Sequence, residues 1–170
     1  YRDEGDYQRA EEYIRQGLAN NQSHFESYTS LGQLYLEQGK CEEAIAYFNT
    51  AISLQPNYVI SLLNRGVCYA TLERYPEAEQ DFLAALEIYP QYFAAIRNLA
   101  GVYYSQGRFN QAVGLFERGL RLRPTDHILY FGLAAAYFDN GNVDAARENL
   151  LRSLEINPNF EPAQALLNLL

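Results

Sequence analysis

Lysine is almost missing from this chain. Lys40 stands alone among 13 basic residues, against 21 acidic ones, and the formal charge is −8. Proteins that grip nucleic acid draw much of their affinity from cations placed on phosphates, so this balance argues against nucleic-acid binding. An anionic membrane surface is disfavoured for the same reason. No apolar run approaches the roughly 20 residues that a bilayer-spanning helix requires, so no membrane insertion is expected. Histidine is limited to His24 and His127, and cysteine to Cys41 and Cys68. The cysteines form no CxxC pair, and two histidines give them little help in holding a metal. They read as small buried hydrophobes, with a disulfide left open. So low a cysteine count favours a reducing compartment, and the cytoplasm is the expected location. There is no signal peptide, and the first residue is Tyr1 rather than Met. The chain therefore reads as an excerpt of a longer protein whose targeting information lies elsewhere.

Catalytic motifs are missing too. No HExxH, GxGxxG, GxxxxGKS/T or GxSxG occurs. The acidic pairs Glu11-Glu12 and Glu42-Glu43 fall in expected first turns of helices, where negative charge complements the helix dipole. Arg118, Arg121 and Arg123 come near an expected helix end, just before Pro124, where cations are favoured. His24 and His127 fall at junctions between elements. The reading is of a protein that is not an enzyme and needs no cofactor and no metal.

What is present is a period. Hydrophobic residues make up 48% of the chain and charged residues 20%, enough apolar material for a packed core. Pro56, Pro90, Pro124 and Pro158 are each 34 residues apart, and Tyr1, Tyr35, Tyr69, Tyr103 and Tyr137 keep the same interval. So do Ala10, Ala44, Ala78, Ala112 and Ala146. Bulky columns run Ile14, Phe48, Phe82, Phe116, Leu150 and Leu18, Ile52, Leu86, Leu120, Leu154. Small ones run Gly32, Gly66, Ala100, Ala134 and Gly17, Ala51, Ala85, Gly119, Ser153. A glycine column, Gly5, Gly39, Gly107 and Gly141, is broken once by Glu73.

Within residues 25–58 the apolar positions recur at three and four, as on one helix face. Tyr28, Leu31, Gly32 and Tyr35 form the stripe of a first helix. Gly39 ends it, because glycine readily takes the left-handed conformation past a helix C-terminus. Ala44, Phe48, Ala51 and Ile52 form the stripe of a second helix. Pro56 stops that one, because the residue before proline avoids the helical region. Pro76 and Pro162 are tolerated, since each falls in the first turn of an expected helix. One such pair cannot bury both faces alone, so neighbouring pairs stack into a continuous core.

These columns resemble the tetratricopeptide repeat, whose pattern is met in 25–58 by Tyr28, Leu31, Gly32, Tyr35, Gly39, Ala44, Phe48, Ala51 and Pro56. The resemblance implies an all-α fold, a right-handed superhelical solenoid of antiparallel helix pairs. It divides the chain into the second half of a repeat at 1–24, full repeats at 25–58, 59–92, 93–126 and 127–160, and the start of a further or capping helix at 161–170. All would belong to one continuous repeat domain. Departures are mild: Arg65 replaces the usual Leu, Glu73 replaces Gly, and Gln22 stands where proline would fall.

The resemblance also implies a function, which is to hold a partner protein, as an extended peptide or a helix, in a concave groove lined by the first helix of each pair. At the inward offsets the expected binding residues are Thr29 and Gln33, then Leu63, Asn64 and Val67, then Arg97, Asn98 and Tyr104, then Phe131, Ala135 and Phe138. Several are apolar where the fold does not demand it, and contiguous exposed apolar surface marks interaction sites. Asn64 and Asn98 share an offset, and each offers a donor and an acceptor to a peptide backbone. Such a ladder resembles that of the O-GlcNAc transferase repeat domain. The carboxylate clamp of chaperone-binding members is not matched. Thr29 and Gln33 replace its first Lys and Asn, and Ala94 and Asn98 replace its last Lys and Arg. Binding of chaperone C-terminal carboxylates is therefore not expected. Two other readings stand beside the scaffold. One is self-association through the repeat ends into a homo-oligomer. The other is a non-catalytic targeting arm of a larger enzyme, such as a glycosyltransferase.

Overall fold

The computed structural model describes residues 4–170; Tyr1, the head of the tyrosine column, lies outside the described residues. Among the described residues there are ten helices and no strand. The chain divides into two compact units between Pro90 and Gln91.

The first unit contains α1 (Glu4–Asn20), α2 (Phe25–Glu37), α3 (Cys41–Leu54), α4 (Val59–Thr71) and α5 (Tyr75–Ile88). Helix α2 packs on α3, α4 packs on α5, and α3 joins the pairs by packing on α4. The second unit contains α6 (Phe93–Ser105), α7 (Phe109–Leu122), α8 (His127–Asp139), α9 (Val143–Ile156) and α10 (Glu161–Leu167). Here α6 packs on α7, α8 on α9, and the short α10 on α9 and α8.

The turn inside each pair explains the glycine column. Gly39 sits at φ +74°, its N–H donates to the Leu36 carbonyl, and the Lys40 N–H donates to the Tyr35 carbonyl at 2.9 Å. These two bonds satisfy carbonyls that a helix end otherwise leaves open. The same pair recurs with Gly107 and Arg108, the latter donating to Tyr103, and with Gly141 and Asn142, the latter donating to Tyr137. Glu73 closes its turn the same way, with Arg74 donating to Tyr69 at 2.8 Å, but at φ +58° without a glycine. The proline column acts as expected: Gln55, before Pro56, is extended at φ −139° and ψ 88°, and α3 has already ended. Pro76 and Pro162 both lie in first helical turns.

Phe48 and Phe82 are fully buried in the first unit, as are Ala44, Ala51, Ala78 and Ala85, and Ala44 shares a cluster with Phe48. Truncating such a ring to Ala typically costs about 3–5 kcal/mol. The small column exists because these rings need the space. A Cβ placed on Gly32 would lie 2.5 Å from the Phe48 ring, and one on Gly66 would lie 2.7 Å from Phe82. In the second unit Ala100 and Ala134 take that offset, and it is Gly132 that makes room for Phe116, at 2.7 Å. Cys41 and Cys68 are buried free thiols in one cluster with Ala44, Ile45 and Phe48. Burial pushes the Cys68 thiol far up, with help from Cys41 beside it.

Candidate functional site

Tyr104 on α6, Phe131, Ala135 and Phe138 on α8, and four residues of the C-terminal segment line an open cavity of about 340 Å³ in the second unit. The C-terminal residues are Pro162, Ala165, Leu166 and Leu169, and Asp139 completes the lining. The helix period explains the grouping, since Phe131, Ala135 and Phe138 follow one another at four and three residues and share one face of α8. Short α10 is held opposite that face by Ala163, which is buried with Ala134 and Leu150, and by Phe160, Leu166 and Leu170 packed on that cluster.

Asp139, exposed at the end of α8, is the one formally charged group in the lining. The Tyr104 hydroxyl donates to its Oδ2 at 2.6 Å. Burial, then this hydrogen bond, pushes the Tyr104 phenol up to about 12, so it stays a neutral donor. Among the described residues Asp139 has no ion pair. Phe131 faces two ways, lining the cavity and meeting Phe160 edge-on at 5.4 Å between centroids.

Four expected residues, Tyr104, Phe131, Ala135 and Phe138, are thus brought together. In the same unit Arg97 is exposed and Asn98 half-buried on α6. In the first unit Gln33 is exposed on α2, while Leu63, Asn64 and Val67 are half-buried on α4. Thr29 departs from expectation, because it is 3% exposed and so does not face a groove. Its Oγ1 lies 2.7 Å from Ser61 Oγ and 3.0 Å from the Phe25 carbonyl. A hydroxyl satisfied within the α2–α4 contact can be buried at little cost, so this offset joins core rather than surface. Asp139 stands at an inward offset of repeat 127–160, whereas Pro162, Ala165, Leu166 and Leu169 were not among the expected binding residues. The last four stand at offsets 2, 5, 6 and 9 of a repeat begun at Glu161. Carrying the inward offsets into the partial repeat would have found them.

Other candidate chemistry is weaker. His24 Nδ1 lies 2.9 Å from Ser27 Oγ, and its Nε2 lies 3.1 Å from Glu26. This relay is exposed, and none of its members lines a described cavity. His127 packs edge-on to Phe160 and contacts Asn157 at 3.2 Å, so it serves a junction. Arg123 is stacked over the Phe93 ring at 3.8 Å. No metal-holding cluster of His, Cys, Asp and Glu occurs among the described residues, and no helix there is long and apolar enough to cross a membrane. A recess of about 460 Å³ along α1 is lined by residues of that helix alone, such as Glu11 and Arg15.

Among the described residues, helix pairs closed by repeated left-handed turns, with an aromatic recess on one face, define a protein-interaction scaffold of the helical-repeat class. Tetratricopeptide repeat models match residues 1–59 and 29–93, and again 69–126 and 103–170. The chain belongs to the tetratricopeptide repeat family. It is similar in fold to solved structures of MamA. A crystal structure of MamA protein is 21% identical over 91% of this chain and 84% of that chain, with a TM-score of 0.84. Another crystal structure of MamA is 21% identical over 93% and 96%, with a TM-score of 0.85. MamA 41-end from Desulfovibrio magneticus RS-1 is 22% identical over 85% and 82%, with a TM-score of 0.82. No curated protein matches the chain.

Proposed function

We propose that the chain holds a partner protein by taking a side chain of a peptide or helix into the cavity between α6, α8 and α10, without catalysing a reaction. One observation carries the reading. Three aromatic rings, those of Tyr104, Phe131 and Phe138, converge with Leu166 and Leu169 around unfilled space of about 340 Å³. That volume falls in the range of recesses that take one ligand group, and aromatic anchors in pockets dominate interface energetics.

The test is capture of partners by the full chain, compared with Ala135→Trp, which places an indole in the cavity. Phe138→Ala, which removes one wall, is the second variant. Phe131 is a poor position for this purpose, because its packing on Phe160 confuses lost binding with lost structure. Loss of capture with an unchanged helical circular-dichroism spectrum is expected, and an unchanged partner set in both variants would sink the reading.

Self-association is a second reading, favoured by Leu169 at 75% exposure on the cavity rim. Light scattering that reports a monomer at every concentration removes it.

A further inference from the structure

The charge in the cavity narrows what the partner must present. We propose that the cavity receives an arginine side chain of the partner protein, its aliphatic stem against Phe131 and Leu166 and its guanidinium between the rings and the Asp139 carboxylate. This deepens the reading above and rests on it.

Asp139 supplies the argument. An ionised carboxylate accepts about four hydrogen bonds, and Tyr104 occupies one position at 2.6 Å. The rest of the lining is apolar or aromatic, with no Lys, Arg or His. Asp139 is exposed at the cavity rim, and an aliphatic anchor would leave its charge without a partner of opposite sign. A carboxylate or phosphate anchor would meet like charge. A cation satisfies both halves of the lining, because the faces of aromatic rings attract cations and the carboxylate pairs with them directly. Arginine suits the site better than lysine. Its planar guanidinium stacks on rings and reaches a carboxylate with two parallel donors, and it sheds water more readily than an ammonium. Over longer range, a chain of charge −8 draws in basic segments rather than acidic ones.

The probes are two peptides, acetyl-Ala-Leu-Arg-Leu-Ala-amide and the same peptide with citrulline, which keeps the shape and removes the charge. Each is titrated into the full chain while the methyl resonances of Ala135, Leu166 and Leu169 are followed by NMR. The arginine peptide is expected to bind at least tenfold more tightly than the citrulline peptide at low salt, with shifts centred on those methyls. Asp139→Asn is expected to erase the difference while leaving the helical spectrum unchanged. Equal binding of the two peptides at those methyls would overturn the arginine assignment and leave the groove reading standing. So would arginine-peptide binding that Asp139→Asn does not weaken. If neither peptide moves those methyls at millimolar concentration, while Ala135→Trp still abolishes partner capture, the arginine assignment alone falls. If Ala135→Trp and Phe138→Ala also leave capture intact, both fall.

Discussion

Arg65 grips Asp81 with two hydrogen bonds, Nε to Oδ2 at 2.8 Å and Nη2 to Oδ1 at 2.6 Å. A third guanidinium nitrogen, Nη1, donates to Asn49 Oδ1 on α3 at 2.6 Å. The Asp81 side chain is 3% exposed and that of Arg65 20%. Burial raises the Asp81 carboxyl above its ordinary range, and Arg65 opposes that shift only in part. Arg65 occupies the place where the family pattern has leucine, and its bonds to Asp81 and Asn49 tie α4 to both α5 and α3. Removing one partner of a buried pair strands the other's charge, at a cost of about 3–5 kcal/mol.

Arg65→Leu, although it restores the family pattern, is therefore expected to lower unfolding stability by about 3 kcal/mol or more. Arg65→Leu with Asp81→Leu is expected to recover most of that loss. Urea unfolding followed by circular dichroism checks both. A single variant as stable as the parent would mean that the pair is not desolvated.

Glu73 is the one described residue other than glycine at positive φ, at +58°. A side chain in that region costs about 1–2 kcal/mol from contact between its Cβ and the backbone, part of which glycine returns as unfolded-chain entropy. Glu73→Gly is expected to stabilise the chain by about 1 kcal/mol, against the usual direction for a glycine substitution. Thermal unfolding that shows a lower midpoint would count against the strained turn.

Glu11 on α1 accepts from Arg15 Nε at 2.8 Å and from the Tyr35 hydroxyl at 3.0 Å. The Arg15 bond first, and Tyr35 with it, hold its carboxyl below the ordinary value of 4.5. A carboxyl depressed by folding adds stability above its unfolded value and loses it as pH falls through its folded value. The contact between α1 and α2 is therefore expected to weaken progressively as pH drops below about 4.5. Hydrogen exchange on α1, compared with Glu11→Gln, reads this directly. Equal pH dependence in both proteins would place the sensitivity elsewhere.

Helix ends were the most legible part of the sequence, because they rest on single-residue backbone physics. Proline forces Gln55 out of the helical region and Gly39 takes a positive φ wherever the chain goes next. The all-α class and the helix-pair order follow from the same columns. The face each side chain presents was less legible. Thr29 and Gln33 both carry inward offsets, yet Thr29 is buried because Ser61 happens to offer a hydroxyl across the α2–α4 contact. Glu73 adopts the turn without the residue that announces it. The cavity was half visible. Its α8 wall could be read from Phe131, Ala135 and Phe138, but its other wall required knowing that α10 docks on the cluster of Ala134, Leu150 and Ala163. Docking of so short a segment is decided by tertiary contacts rather than by its own period.

A helix of seven residues is not stable by itself in water, so α10 owes its shape to its neighbours. Because α10 supplies Pro162, Ala165 and Leu166 to the cavity, the recess and the folding of that segment are one equilibrium. Whatever fills the recess also shifts α10 toward its docked state. Slower proteolysis within 161–169 would then report occupancy, even for an occupant with no signal of its own.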